Sequence, residues 1–194
     1  MTNGLVKAGN CTFERFGDKE LNYAKQAWQR AVAGAGYAAK GILQFKRKAD
    51  AARILKWFGL APASKPAHAQ LLMGASTKMQ ELHKAITTRP ITLVNRPDAT
   101  VRHVPIGQDV YGYVWPHLAG SGFRIILGKW FLCDPDPYEA AQTIYHELTH
   151  KLCQTKDHAY GTEKCVSLAS TAPQQAVNNA DSFGYFMKSY LIDM

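Results

Sequence analysis

Asp134-Pro135-Asp136-Pro137-Tyr138-Glu139-Ala140-Ala141-Gln142-Thr143-Ile144-Tyr145-His146-Glu147-Leu148-Thr149-His150 runs from a turn into a helical pattern that ends on two histidines. Asp136 is a natural N-cap, Pro137 suits the first helical position, and Glu139 favours the first turn. Ala140, Ala141, Ile144 and Leu148 follow as an apolar stripe at helical spacing. The spacing therefore predicts a helix that carries His146 and His150 one turn apart on one face, where they can chelate one metal ion. Glu147 is placed to reach a water on that ion and to act as general base, the arrangement of zinc-dependent peptide hydrolysis. A bare H-E-x-x-H turns up by chance in about one chain in a hundred of this size. The helix context is what raises it above two surface histidines on an amphipathic helix.

A hydrolytic zinc site takes three protein ligands and keeps one position open. After His150 the metzincin continuation would need glycine at 153 and histidine at 156, and the chain has Cys153 and Lys156. Glu163 lies on a following helical stretch but close in sequence for a ligand. Asp157 lies seven residues past His150, on a loop long enough to fold back beneath the metal.

Thr155-x-Asp157-x-x-Tyr160-Gly161 after His146-Glu147-x-Thr149-His150 resembles the signature of the deuterolysin, or aspzincin, zinc endopeptidases, which include lysine-specific members. Trp57-Phe58-Gly59, Tyr111-Gly112-Tyr113-Val114-Trp115-Pro116 and Asn179-Ala180-Asp181 are similar to further segments of that family. The likeness runs from near Cys11 to near Phe186. It implies one zinc ion per chain on His146, His150 and Asp157, Glu147 as base, and Tyr160 as donor to the oxyanion. It implies a protein or peptide substrate paired with Tyr111, Gly112, Tyr113 and Val114. Asp181 matches an aspartate that binds the substrate ammonium in lysine-specific members, while Gly184 stands where they carry glutamate. The expectation is a basic preference less sharp than theirs, with open space beside Gly184. Gln154 also replaces a glycine of the signature, and the loop to Asp157 is shorter by about two residues.

The chain has 194 residues and a net charge of +8. That length suits one zincin-like α+β domain over 1–194, with a helical subregion at 1–90 and a sheet, the zinc helix and C-terminal helices at 91–194. Helices are expected from Leu21 to a stop at Gly34–Gly36, up to Phe58 before Gly59, after Pro66, and near 162–171 and 174–191. Strands are expected at Ile91–Val94, Val101–Val104, Tyr111–Trp115 and Phe123–Leu127. Residues 1–60 hold eleven Lys or Arg against four Asp or Glu, densest at Lys46-Arg47-Lys48. This reads as a solvated helical face. The other reading is a basic binding module for nucleic acid or an anionic surface with a structural or vestigial metal site, but no nucleic-acid motif accompanies the charge. The sequence shows no signal peptide and no membrane span. Cys11, Cys133, Cys153 and Cys165 read as free thiols, with Cys153–Cys165 the conceivable bridge. The expectation is a monomer, secreted or delivered to another compartment as a bacterial effector or toxin domain.

Overall fold

The computed structural model describes residues 5–61, 66–96, 100–101, 104–105, 111–114, 122–128, 131–132 and 136–192. The chain is α+β. Strands β1 (Val6–Ala8) and β2 (Cys11–Glu14) form a hairpin turned by Gly9, whose φ of 62° suits glycine. Helices α1 (Asp18–Leu43), α2 (Lys48–Phe58) and α3 (Pro66–Thr88) follow. Strand β3 (Ile91–Asn95), the two-residue strands β4 (Thr100–Val101) and β5 (Val104–Pro105), β6 (Gly112–Tyr113) and β7 (Phe123–Leu127) come next. The chain closes with α4 (Pro137–Cys153), α5 (Thr162–Thr171), α6 (Pro173–Ala176) and α7 (Ala180–Ile192).

The main sheet has the order β1-β2-β3-β7-β6, so β6 is an edge strand among the described residues. β2, β3 and β7 run parallel, while β1 and β6 are antiparallel to their neighbours. Parallel neighbours need long crossovers, and α1 to α3 supply the one between β2 and β3. Ile91, Leu93, Ile125 and Leu127 alternate into the core, as strand geometry dictates.

Helix α4 is the hub. Residues 140–149 are all buried, and the helix packs on α1, α3, α7, β6 and β7. Its start agrees with the expected cap: Asp136 accepts from the Tyr138 N–H at 2.8 Å, with Pro137 at the first position. No helix among the described residues is long and apolar enough to cross a membrane.

Three departures from the sequence reading have physical causes. Helix α1 does not stop at Gly34–Gly36 but continues to Leu43. A Cβ on Gly34 would meet Met187 Sδ at 2.2 Å, and one on Gly41 would meet Tyr190 Oη at 2.0 Å. These glycines are notches where α7 lies close, and the burial gained outweighs their low helix propensity, about 1 kcal/mol each. The expected strand at Val101–Val104 is instead the β4–β5 pair, and the N-terminal hairpin makes part of 1–90 sheet. The last expected helix is broken into α6 and α7 around Val177–Asn179, where the backbone pairs with Lys156.

Candidate metal centre and cleft

Helix α4 sets the first two donors by its pitch alone. His146 Nε2 and His150 Nε2 lie 3.0 Å apart, and Asp157 Oδ1 is 3.3 Å from the first and 3.1 Å from the second. These are the edges expected of a tetrahedral zinc site, about 3.3 Å for donors about 2.0 Å from the ion. Among the described residues, His146, His150 and Asp157 are the group able to hold a metal ion; neither Glu163 nor Cys153 joins it.

The second nitrogen of each imidazole is already committed. His150 Nδ1 donates to the Thr155 carbonyl at 2.8 Å, and His146 Nδ1 faces Asp181 Oδ1 at 2.6 Å. Both rings therefore turn the Nε2 lone pair to the same point, beside a carboxylate oxygen. Three converging electron-rich atoms repel one another unless a cation or protons sit between them, so the donor set fits zinc. Protons do the same task in the metal-free site. Burial works against a charged His146, but the hydrogen bonds it donates to Asp157 and Asp181 outweigh it and raise its pKa to about 10. Burial likewise opposes ionisation of Asp157, and the two histidines overcome it and hold its carboxyl well below the usual range.

Asp157 sits on a loop with no helical pitch to place it. The loop is clamped by the α6–α7 junction instead. Lys156 N donates to Asn178 O at 2.8 Å, and Ala180 N donates to Lys156 O at 2.9 Å. Asn179, fully buried, accepts from His158 N at 2.8 Å and Ala159 N at 3.0 Å, and gives its amide to Cys165 Sγ and Ser182 Oγ. Thr149 and Thr155 bridge helix and loop through their hydroxyls at 2.7 Å. Gln154 enters the loop at φ 53°, so the left-handed turn that glycine would favour is made by glutamine.

Glu147 is buried beside the donors, with Oε1 3.9 Å from His146 Nε2. Burial pushes its pKa up, and His146 and His150 pull it partly back. Tyr160 is more than half exposed, and its ring stacks along His146 with centroids 6.1 Å apart. Partial covering of the phenol and the nearby Asp157 carboxylate raise the pKa of Tyr160, so it stays a proton donor.

These groups floor a cleft of about 900 Å³, and Tyr111, Gly112, Tyr113 and Val114 form its strand side. A Cβ on Gly112 would stand 3.3 Å from Glu147 Cγ, so the strand lies tight against the base. Glu139, Gln142, Thr143 and Tyr185 also line the cleft and were not singled out from sequence. The first three share the face of His146 at three- and four-residue spacing, which was the available signal.

The surroundings of Asp181 and Gly184 bear on the expected basic pocket. Asp181 lines the cleft, but its Oδ1 holds His146 and Gln142, and its Oδ2 accepts from Gly161 N at 2.8 Å. Its geometry is that of a group that orients the His146 ring. Gly184 leaves no open space: it is buried, and a Cβ there would meet Gln142 Nε2 at 2.6 Å. The Gln142 amide fills the room. Cys11, Cys153 and Cys165 are free thiols, so Cys153–Cys165 is not bridged, and burial raises each to about 12. Trp115, Pro116 and Cys133 lie outside the described residues.

Comparison with known proteins agrees with this geometry. The aspzincin family model, described as lysine-specific metallo-endopeptidase, matches residues 43–188. An extracellular protease of Aeromonas hydrophila is 31% identical over 146 residues, covering 73% of this chain and 37% of that protein. A peptidyl-Lys metalloendopeptidase of Armillaria mellea is 26% identical over 179 residues, covering 77% of this chain and 50% of that protein. The chain thus spans half or less of the length of these curated relatives. The solved zinc peptidase from Grifola frondosa superposes with a TM-score of 0.69 at 21% identity, over 91% of this chain and 98% of that one, and so shares the fold.

Proposed function

The chain belongs to the aspzincin family of lysine-specific metallo-endopeptidases, and we propose that it is a zinc-dependent endopeptidase acting on protein or peptide substrates. One observation carries this reading: a base, an oxyanion donor and a three-atom metal cradle share one open cleft beside a sheet edge. His146, His150 and Asp157 hold the zinc, which when bound polarises the scissile carbonyl and makes water a competent nucleophile near neutral pH. Glu147 takes the proton from the attacking water and returns it to the leaving amide nitrogen. Its raised pKa suits both halves of that transfer. Tyr160 donates its hydroxyl to the oxygen that gains charge. Asp181, through its bond to His146 Nδ1, keeps the ring aimed at the cradle.

The substrate backbone lies along β6 across Tyr111–Val114, the outer strand of the sheet among the described residues, and takes main-chain partners from it. Four carboxylates line the cleft, Glu139, Glu147, Asp157 and Asp181, and no Lys or Arg does among the described residues. That field favours a basic side chain next to the cleaved bond, with Asp181 contributing charge from behind its hydrogen bonds. The binding-module alternative is not favoured, because a buried base beside an open donor set has no use there. The free thiols are compatible with a protein that works in a reducing compartment, and we propose delivery as a bacterial effector or toxin for its setting.

The deciding experiment is hydrolysis of a denatured peptide library by zinc-loaded protein, with and without a chelator, alongside Glu147→Gln. Cleavage that follows the metal and disappears in the variant is expected. Binding of one zinc per chain without any cleavage would overturn the proposal.

A further inference from the structure

A second cavity, of about 510 Å³, opens beside the cleft, and Tyr185 lines both. Its lining is the electrostatic opposite of the cleft. Arg53, Lys56 and Lys188 face it, and no Asp or Glu does among the described residues. The counter-charges stand behind the wall. Asp50 pairs with Arg53 from within α2 at 3.7 Å, and the buried Lys188 pairs with Glu139, which lines the cleft, and with Asp136 at 3.6 Å. The Glu139–Lys188 pair therefore spans the partition, and Lys56 is the exposed cation on the cavity side.

The floor is built for contact. Trp57 stacks on Tyr185 with centroids 5.2 Å apart and planes 15° from parallel, and Lys56 Nζ lies 4.7 Å from the centre of the Trp57 ring. Aromatic packing of this kind spends no mobile side chain on the wall and leaves the exposed Lys56 ammonium free to turn toward a ligand. Thr162, at the start of α5, adds a hydroxyl bonded to Tyr185.

We propose that this cavity is a second substrate subsite, one that takes the carboxylate of an acidic residue a few positions from the cleaved bond. This rests on the endopeptidase reading. Tyr185 is a wall common to cleft and cavity, so an extended peptide in the cleft, advancing about 3.3 Å per residue, can present a side chain to the cavity. The enzyme then selects a two-sign pattern: a basic side chain in the cleft and an acidic one in the cavity.

The test uses peptides with one cleavable core and a single Glu or Gln placed two, three or four residues from the scissile bond, on either side, assayed with zinc-loaded protein. At one position the Glu peptide should show kcat/KM about three- to tenfold above its Gln twin, an advantage that shrinks as salt is raised. Lys56→Glu should cancel or invert that advantage and leave the Gln twin within about twofold, and Lys56→Ala should reduce it. Equal cleavage of the twins at every position, or an advantage that survives Lys56→Glu, would overturn the proposal. Binding of the same labelled peptides to zinc-loaded Glu147→Gln protein separates the two readings. A Glu preference in binding without any turnover by the unmodified protein sinks the peptidase and keeps the subsite. Loss of the preference in binding as well sinks the subsite.

Discussion

Helix α4 and the loop from Thr155 to Gly161 contribute to the same metal centre by opposite means. On the helix, His146, Glu147 and His150 are positioned by pitch, and ten consecutive residues, 140–149, are buried around them. On the loop, the Asp157 side chain is 34% exposed and Tyr160 more than half, and their place is set by partners some twenty residues further along, Asn178 to Asp181. A helix tolerates little adjustment, so a change there should act on chemistry with the geometry intact. A clamped loop yields when a clamp is removed, so a change there should act on the metal.

The sharpest break in that comparison is Glu147→Gln. It should lower kcat by about a hundredfold or more while one zinc per chain is retained, measured by turnover beside metal content. Loss of metal in this variant would show that the helix, too, answers through geometry. Tyr160→Phe should lower kcat by about ten- to a thousandfold with KM little changed, as loss of one oxyanion donor does. A fall in zinc affinity instead would move Tyr160 from chemistry to positioning.

Asn179→Ala removes the acceptor that holds His158 N and Ala159 N and leaves α4 untouched. Zinc affinity should drop about ten- to a hundredfold in competition with a chelator, as for loss of a group that orients a ligand. Unchanged affinity would mean that the Lys156 backbone pairing suffices.

Acidity probes both regions together. In the metal-free protein His146 has its pKa raised from 6.5 to about 10. A folded value above the unfolded one stabilises the fold fully below 6.5, and that contribution is lost as pH rises toward about 10. Asp157 works in the opposite sense: held low in the fold, it contributes above the usual carboxylate range and loses its contribution on acidification. Zinc competes with the His146 proton, so its affinity should climb over the window in which the metal-free protein weakens. Thermal melts of chelated protein from pH 6 to 9, set beside zinc titrations, read both slopes; parallel slopes would refute the coupling. The smallest effect is expected for Gln154→Gly. It relieves the left-handed φ of 53° at the helix end but adds freedom to the unfolded chain, so stability should change by no more than about 1 kcal/mol. A large loss in a denaturant titration would reveal a side-chain role at the junction.

Much of the centre was legible because it is local. The cap at Asp136–Pro137, the apolar stripe and the two histidines one turn apart all follow from helix geometry, and they survive intact in the fold. The left-handed stop at Gly59 was legible for the same reason, with φ at 66°. Gly34 and Gly36 misled, because a glycine that ends a helix and one that lets another helix approach are the same letter. The difference lies in Met187, which faces Gly34 from an element about 150 residues away, and in His83 of α3, which faces Gly36. Gly184 misled likewise. Its neighbour in space is Gln142, and no local rule connects them.

Spacing in the chain carried two imidazoles and one carboxylate on a common helix face, His146, Glu147 and His150, while Asp157 came with the family resemblance. What only the tertiary structure decided is which partners are already taken. Asp181 is held by His146, Gln142 and Gly161; Glu139 is held by Lys188; Asn179 is spent on the loop. Pitch is a property of the backbone and repeats every 3.6 residues in any helix. A hydrogen bond between residues 35 or 49 positions apart exists only once packing has brought them within reach, and short-range spacing carries no record of it.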